Sequence, residues 1–151
     1  MTYNDKIDIL KENVQSLTDS IIWLQRSYTI CNEFVDFDKL SDSKFDAMEA
    51  LSARFARTTD ILTNKVLRSI IYIEHGEPLT WIDTLIYFEK QGLISTIDEL
   101  RLIKELRNDI VHEYTFSDLI ELFTEVLKQT GLLILIAKNT FQYADKVLAK
   151  L

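Results

Sequence analysis

The chain predicts an all-α fold, an up-and-down bundle of the four-helix type with one additional short helix. Three observations carry that expectation. Three glycines and one proline in 151 residues are far too few for the turns of a β protein. Apolar residues recur three and four apart over long stretches, the spacing that lines one face of a helix. The balance of 47% hydrophobic to 27% charged residues matches a helical bundle around one core. A single domain over residues 1–151 is the simplest organisation, since a chain of this size buries roughly 70% of its unfolded surface without metal or disulfide staples.

The first helix is expected from about Asn4 to Asn32. Its positions Ile7, Leu10, Val14, Leu17, Ile21, Leu24, Tyr28 and Cys31 form an unbroken heptad seam. The acidic stretch from Glu33 to Ser43 reads as a connection. A second helix starts near Asp42 or Ser43 and runs to about Ile73. Phe45, Met48, Leu51, Phe55, Leu62, Val66, Ile70 and Ile73 make its buried stripe. His75-Gly76-Glu77-Pro78 ends it, because proline cannot continue the hydrogen-bond ladder.

A short helix follows, with Thr80 as N-cap and Asp83 in the capping-box position. Gly92 falls where a left-handed C-terminal cap belongs. The next helix opens at Thr96 with Glu99 three residues on. It turns Ile97, Leu100, Ile103 and Leu106 inward and ends around His112 to Tyr114. The last helix spans about Ser117 to Ala149, with Leu119, Phe123, Val126, Leu133, Ile136 and Val147 toward the core. Gly131 in its middle costs about 1 kcal/mol against alanine and is expected to mark a close approach.

A net charge of −7 argues against a general nucleic-acid binder and leaves room only for a local basic site. The single cysteine, Cys31, has no internal disulfide partner, which fits a reducing compartment, and no zinc-ligand cluster is present. The polar opening Met1–Lys6 reads as a chain without a signal peptide. The longest apolar run, Gly131–Ala137, is far short of the ~20 residues that cross a bilayer. A cytoplasmic location, no membrane partner, no metal and no cofactor are the expectations that follow.

The chemistry concentrates in Arg107-Asn108-Asp109-Ile110-Val111-His112-Glu113-Tyr114. A guanidinium can hold the charge that builds on a phosphorus centre, and an imidazole can move protons near neutral pH. Alone, two such residues near a helix C-terminus are also an ordinary placement of cations against the helix dipole. The spacing resembles the R-x4-H-x-Y signature of HEPN-domain ribonucleases, most closely the HepT-like toxins of MNT–HepT toxin–antitoxin pairs. The likeness extends to the helical plan, to Phe55–Leu62 and to the Gly76-Glu77-Pro78 to Trp81 turn.

The resemblance implies a toxin that is a metal-independent endoribonuclease with an RNA-binding cleft at a homodimer interface. Arg107 and His112 would be catalytic and Asn108 would orient the imidazole. Tyr114 would accept AMP from a cognate MNT-type nucleotidyltransferase antitoxin, which would block the site with negative charge and bulk. Helix geometry also favours a dimer. On an ideal helix Arg107 and His112 lie about 140° apart and ~7.5 Å apart along the axis, so one subunit makes an incomplete cradle. Asn108 and His112, four apart, share a face.

Arg54, Arg57, Lys65 and Arg68 fall within an arc of about 80° on an ideal helical projection and are candidate RNA-backbone contacts or a solvated face. Asp60, in their midst, is expected to pair with an arginine. Arg101 and Lys104 either widen the basic zone or are ordinary surface charges. Trp23 and Trp81 are expected as core or interface anchors, and His75 as a loop residue. Two alternatives stand beside the nuclease. One is a non-catalytic HEPN binding module that assists a nucleotidyltransferase; the other is a structural helical adaptor.

Overall fold

The computed structural model describes residues 1–34, 36, 39–112 and 115–150, with the backbone alone at 116 and 117. It is all-helical, with no strand among those residues. Helix α1 spans Tyr3–Cys31 and opens with a capping box in which the Thr2 hydroxyl accepts from Asp5 N–H and the Asp5 carboxylate accepts from Thr2 N–H. Helix α2 covers Asp42–Asp60 and passes without a break through a π-helical segment, Ile61–Leu67, into α3, Arg68–Glu74. Helices α4 (Trp81–Lys90), α5 (Ile97–Ile110) and α6 (Phe116–Ala149) complete the chain. The α2–π–α3 rod, α1 and α6 are the long members expected from the sequence, with α4 and α5 the shorter pair.

Polar contacts along the α1 seam fix its direction against the rod. Lys6 reaches the Tyr72 carbonyl, Asn13 the Ser69 hydroxyl, Ser20 the Thr58 hydroxyl and Arg54 the Ser27 hydroxyl. One number rises as the other falls, so the two run antiparallel. Helix α5 pairs with the rod the same way, through Arg107–Asp60 and Lys104–Asn64. Helix α6 runs parallel to the rod, as Phe45–Phe123 at one end and Glu74–Tyr143 at the other require. The result is an up-down-up-down bundle.

Leu10, Leu17, Leu24, Phe55, Leu62, Phe88, Leu100, Phe123 and Leu133 are sealed in its core, each such side chain contributing on the order of 1.5–3 kcal/mol relative to exposure. Buried hydroxyls do not break that core, because most bond back one turn: Ser52 to the Met48 carbonyl, Thr59 to Phe55, Thr130 to Val126 and Thr140 to Ile136.

Several local features fall where the sequence puts them. Thr80 caps α4 by accepting from Asp83 N–H. Gly92 takes φ +76° after α4, and Gly76 takes +86° after α3. The Glu99 carboxylate accepts from the N–H groups of Ser95 and Thr96 at the start of α5. Gly131 lies against Tyr28, whose hydroxyl would be 3.2 Å from an added Cβ.

The π segment differs from the uninterrupted α-helix expected there. Such a turn holds one extra residue and so rotates everything downstream by about 100° relative to an ideal α-helix. Carbonyls just before and within it take side-chain donors: Thr59 from Thr63 Oγ1, and Lys65 from Ser69 Oγ and Asn13 Nδ2. Leu67 and Ile71, outside the expected stripe, are thereby buried beside Val66 and Ile70.

Candidate active site

The seam between α5 and the rod gathers the functional candidates. Arg107 sits in the last turn of α5, and its guanidinium grips Asp60 at the end of α2 through two parallel bonds. Nε lies 2.8 Å from Oδ1 and Nη2 lies 2.9 Å from Oδ2. This fork geometry is the strongest arrangement open to an arginine and a carboxylate. The pair pushes the always-charged guanidinium further above its ordinary range, through the hydrogen bonds and the charge of Asp60. It also fixes the plane of the group. The remaining nitrogen, Nη1, donates to the Asn108 amide oxygen at a long 3.4 Å. Of the arginines flanking Asp60 in sequence, none is its partner; the acid pairs across to α5.

One turn earlier on α5, Lys104 points at the π segment. Its ammonium reaches Asn64 Oδ1 at 3.1 Å and Thr63 Oγ1 at 3.4 Å, and sits 4.8 Å from the centre of the Trp81 ring. Burial lowers its pKa from the usual lysine value; Asp60 opposes that shift, and the nearby charges of Arg107 and Arg68 add to it. Lys104 is therefore a half-buried member of a charged cluster rather than an ordinary surface cation. Its place one turn from Arg107 was the only sign of this in the sequence.

Helix α5 stops at Ile110, short of the His112–Tyr114 end expected from the sequence. Val111 is the C-cap, and its N–H bonds to the Asn108 carbonyl. His112 follows on an exposed bend, its N–H donating to the Asp109 carbonyl at 3.2 Å. The ideal-helix angle between Arg107 and His112 therefore does not apply, and neither does the shared face of Asn108 and His112. The early stop lets the chain turn at the end of the helix that carries the arginine. Tyr114, the expected modification site, lies outside the described residues.

The π segment interrupts the run of four basic residues of the rod: Arg54 and Arg57 precede it, Lys65 lies in its last turn and Arg68 follows it. Arg54 folds onto α1, donating to Ser27 Oγ at 2.7 Å and to the Trp23 carbonyl at 3.3 Å, with its guanidinium 5.1 Å from the Trp23 ring. Arg57 is exposed in the last turn of α2. Lys65 and Arg68 are exposed and line a groove with Lys6 and Asn13 of α1. Trp23 is half exposed rather than a core anchor, whereas Trp81 packs against the core.

Among the described residues, no three His, Cys, Asp or Glu side chains gather into a set that could hold a metal ion, and no helix is long and apolar enough to cross a membrane. Chemically, the arrangement offers a guanidinium held in plane, an exposed histidine past the end of the same helix, and the Lys104 ammonium one turn from the arginine. No family model matches this chain, and no curated protein or solved structure matches it significantly.

Proposed function

We propose that the protein is a toxin ribonuclease of the HEPN, HepT-like kind, cleaving RNA without a metal at a cleft between two copies of the chain. The observation that carries this reading is the two-bond grip of Asp60 on Arg107, which holds the guanidinium plane in the last turn of the helix beyond whose end His112 is exposed. In the proposed step the ribose 2′-oxygen attacks the adjacent phosphorus and the bond to the 5′-oxygen breaks. This leaves a cyclic phosphate and a 5′-hydroxyl. His112 takes the proton from the 2′-hydroxyl or delivers one to the departing 5′-oxygen. Arg107 meets the charge that accumulates on the non-bridging oxygens. Asn108, 3.4 Å from Nη1, supports the arginine rather than the imidazole in this arrangement.

A second copy would bring another guanidinium and imidazole to the same phosphodiester. A cognate MNT-type nucleotidyltransferase would hold the toxin in check in the cytoplasm by adding AMP to Tyr114. One observation favours the second reading, a non-catalytic module that assists a nucleotidyltransferase: the Arg107 charge is already met by Asp60.

Expression of the wild type, Arg107→Ala and His112→Ala without a partner separates the two. The nuclease reading expects growth arrest and RNA loss from the wild type alone, with cleavage by the purified protein unaffected by EDTA. Three equally harmless chains with intact RNA would favour the binding module. Three equally toxic chains would remove the assigned residues.

A further inference from the structure

Two cavities lie side by side along the π segment and share a wall. One, of about 200 Å³, is enclosed by the π segment, α3, α4 and α5 and is lined by Thr63, Asn64, Arg68, Trp81, Thr84 and Lys104. The other, of about 220 Å³, lies against α1 and presents Lys6 and Lys65. Asn64 and Arg68 line both. Four cations therefore face this paired hollow and no carboxylate lines either half, in a chain whose net charge is −7.

Among the described residues, none of these four cations forms an ion pair. Asp60 is the acid that acts on Lys104, and both of its oxygens are engaged by Arg107. Among the described residues, the Arg68 guanidinium has neither a hydrogen-bond nor an ion-pair partner. Lys104 is held in place by two neutral oxygens and a ring face, which orient an ammonium without neutralising it. Like charges brought together in a partly desolvated hollow repel, and an anion placed between them removes that repulsion.

We infer that the Arg68–Lys104 cavity is a phosphate-binding subsite. Its size sets the ligand. About 200 Å³ lies below the roughly 300–1,000 Å³ of pockets that enclose whole drug-sized molecules, and so suits a phosphate group rather than a complete nucleotide. The Lys104 ammonium already sits 4.8 Å from the centre of the Trp81 ring and would compete with a stacked base, so recognition runs through the phosphate. Arg68 supplies a planar fork and Lys104 a point charge, with the Asn64 amide beside them. The phosphate can belong to a nucleic-acid backbone or to a free phosphate ester. The site stands on the cavity alone; its use as a grip on the strand being cut rests on the nuclease reading.

The chain has two tryptophans, so Trp23→Phe leaves Trp81 as the sole tryptophan, on the cavity wall, where excitation above the tyrosine band reads it alone. This protein is titrated with inorganic phosphate, AMP, adenosine and a short 2′-O-methyl RNA that cannot be cut, and calorimetry on the wild type repeats each titration. Saturable binding of the phosphate-bearing probes, with none by adenosine, is expected. Arg68→Gln and Lys104→Met should each weaken it by about tenfold or more while the helical circular dichroism is unchanged. Tighter binding of the RNA assigns the site to a nucleic-acid backbone, and tighter binding of AMP or phosphate to a free ester.

Equal binding of adenosine, undiminished binding by Arg68→Gln, or no binding by either method overturns the subsite. Phosphate binding by a wild type that leaves RNA intact sinks the nuclease reading and leaves the subsite standing. RNA cleavage without phosphate binding does the reverse.

Discussion

Asp60 and Arg107 meet through two hydrogen bonds although they lie 47 residues apart. The acid closes α2, the arginine belongs to the last turn of α5, and their contact locks the guanidinium plane. About a third of each side chain remains exposed, so water screens the pair and its coupling is expected near 1 kcal/mol. A double-mutant cycle of Asp60→Ala, Arg107→Ala and the double variant should return that value by chemical denaturation. A coupling indistinguishable from zero would mean the contact is ornamental.

The same pair predicts a kinetic signature. Asp60→Asn keeps an oxygen near Arg107 but loses the charge and one arm of the fork, so the guanidinium turns more freely. If the nuclease reading holds, cleavage should slow by about tenfold through kcat while KM changes little, because orientation is lost and the cation is kept. A rise in KM alone would assign Asp60 to substrate binding.

Much of the bundle was legible in the sequence because its signals are local. Heptad spacing, the Thr80 cap and the Gly92 stop each act within a few residues, and each appears in the structure. The π segment was not legible as a shape. Adjacent apolar pairs, Val66-Leu67 and Ile70-Ile71, were its trace, yet they read equally well as a wide helical stripe. The candidate site divides the same way. Arg107 and His112 stand out by spacing along one segment. The partner of Asp60 and the burial of Lys104 depend on the register between two helices, which no local pattern records.

A one-residue deletion tests the π segment directly. Removing the exposed Asn64 should let the rod relax to a plain α-helix, with helical dichroism nearly unchanged. Because the deletion removes the residue that the π turn accommodates, everything downstream keeps its place and Ile70 and Ile71 stay in the core. The loss is expected to be no more than about 1 kcal/mol, the scale of the Lys104–Asn64 hydrogen bond. A loss of several kcal/mol would show that the segment does not simply absorb one extra residue.

Gly131 offers a small, clean measurement. Alanine there gains about 1 kcal/mol of helix propensity but sets its Cβ 3.2 Å from the Tyr28 hydroxyl. Gly131→Ala should therefore stabilise the Tyr28→Phe protein by more than it stabilises the wild type. Equal effects in the two backgrounds would show that the hydroxyl moves aside freely.

Alkaline pH should weaken the fold. Burial pushes the Cys31 thiol up to about 11 from 9.0, partly offset by Arg54, and burial together with Glu74 raises Tyr87 and Tyr143. The folded state thus holds protons that the unfolded chain releases, so stability present below pH 9.0 falls as pH rises toward about 11. Cys31→Ala should flatten that slope in denaturation midpoints taken across the window, and an unchanged slope would leave the tyrosines as its whole source. The native thiol should also react slowly with disulfide reagents at neutral pH.

The bearings of Arg107 come from a different part of the chain than the eight-residue segment around it. Transplanting that segment onto a foreign helix would carry the arginine and the histidine but leave behind the carboxylate that aims one of them. A nascent chain meets the same constraint in time, since the guanidinium has no fixed heading until α5 has docked against a rod made 47 residues earlier. Docking of the two helices is thus the event that would arm the molecule.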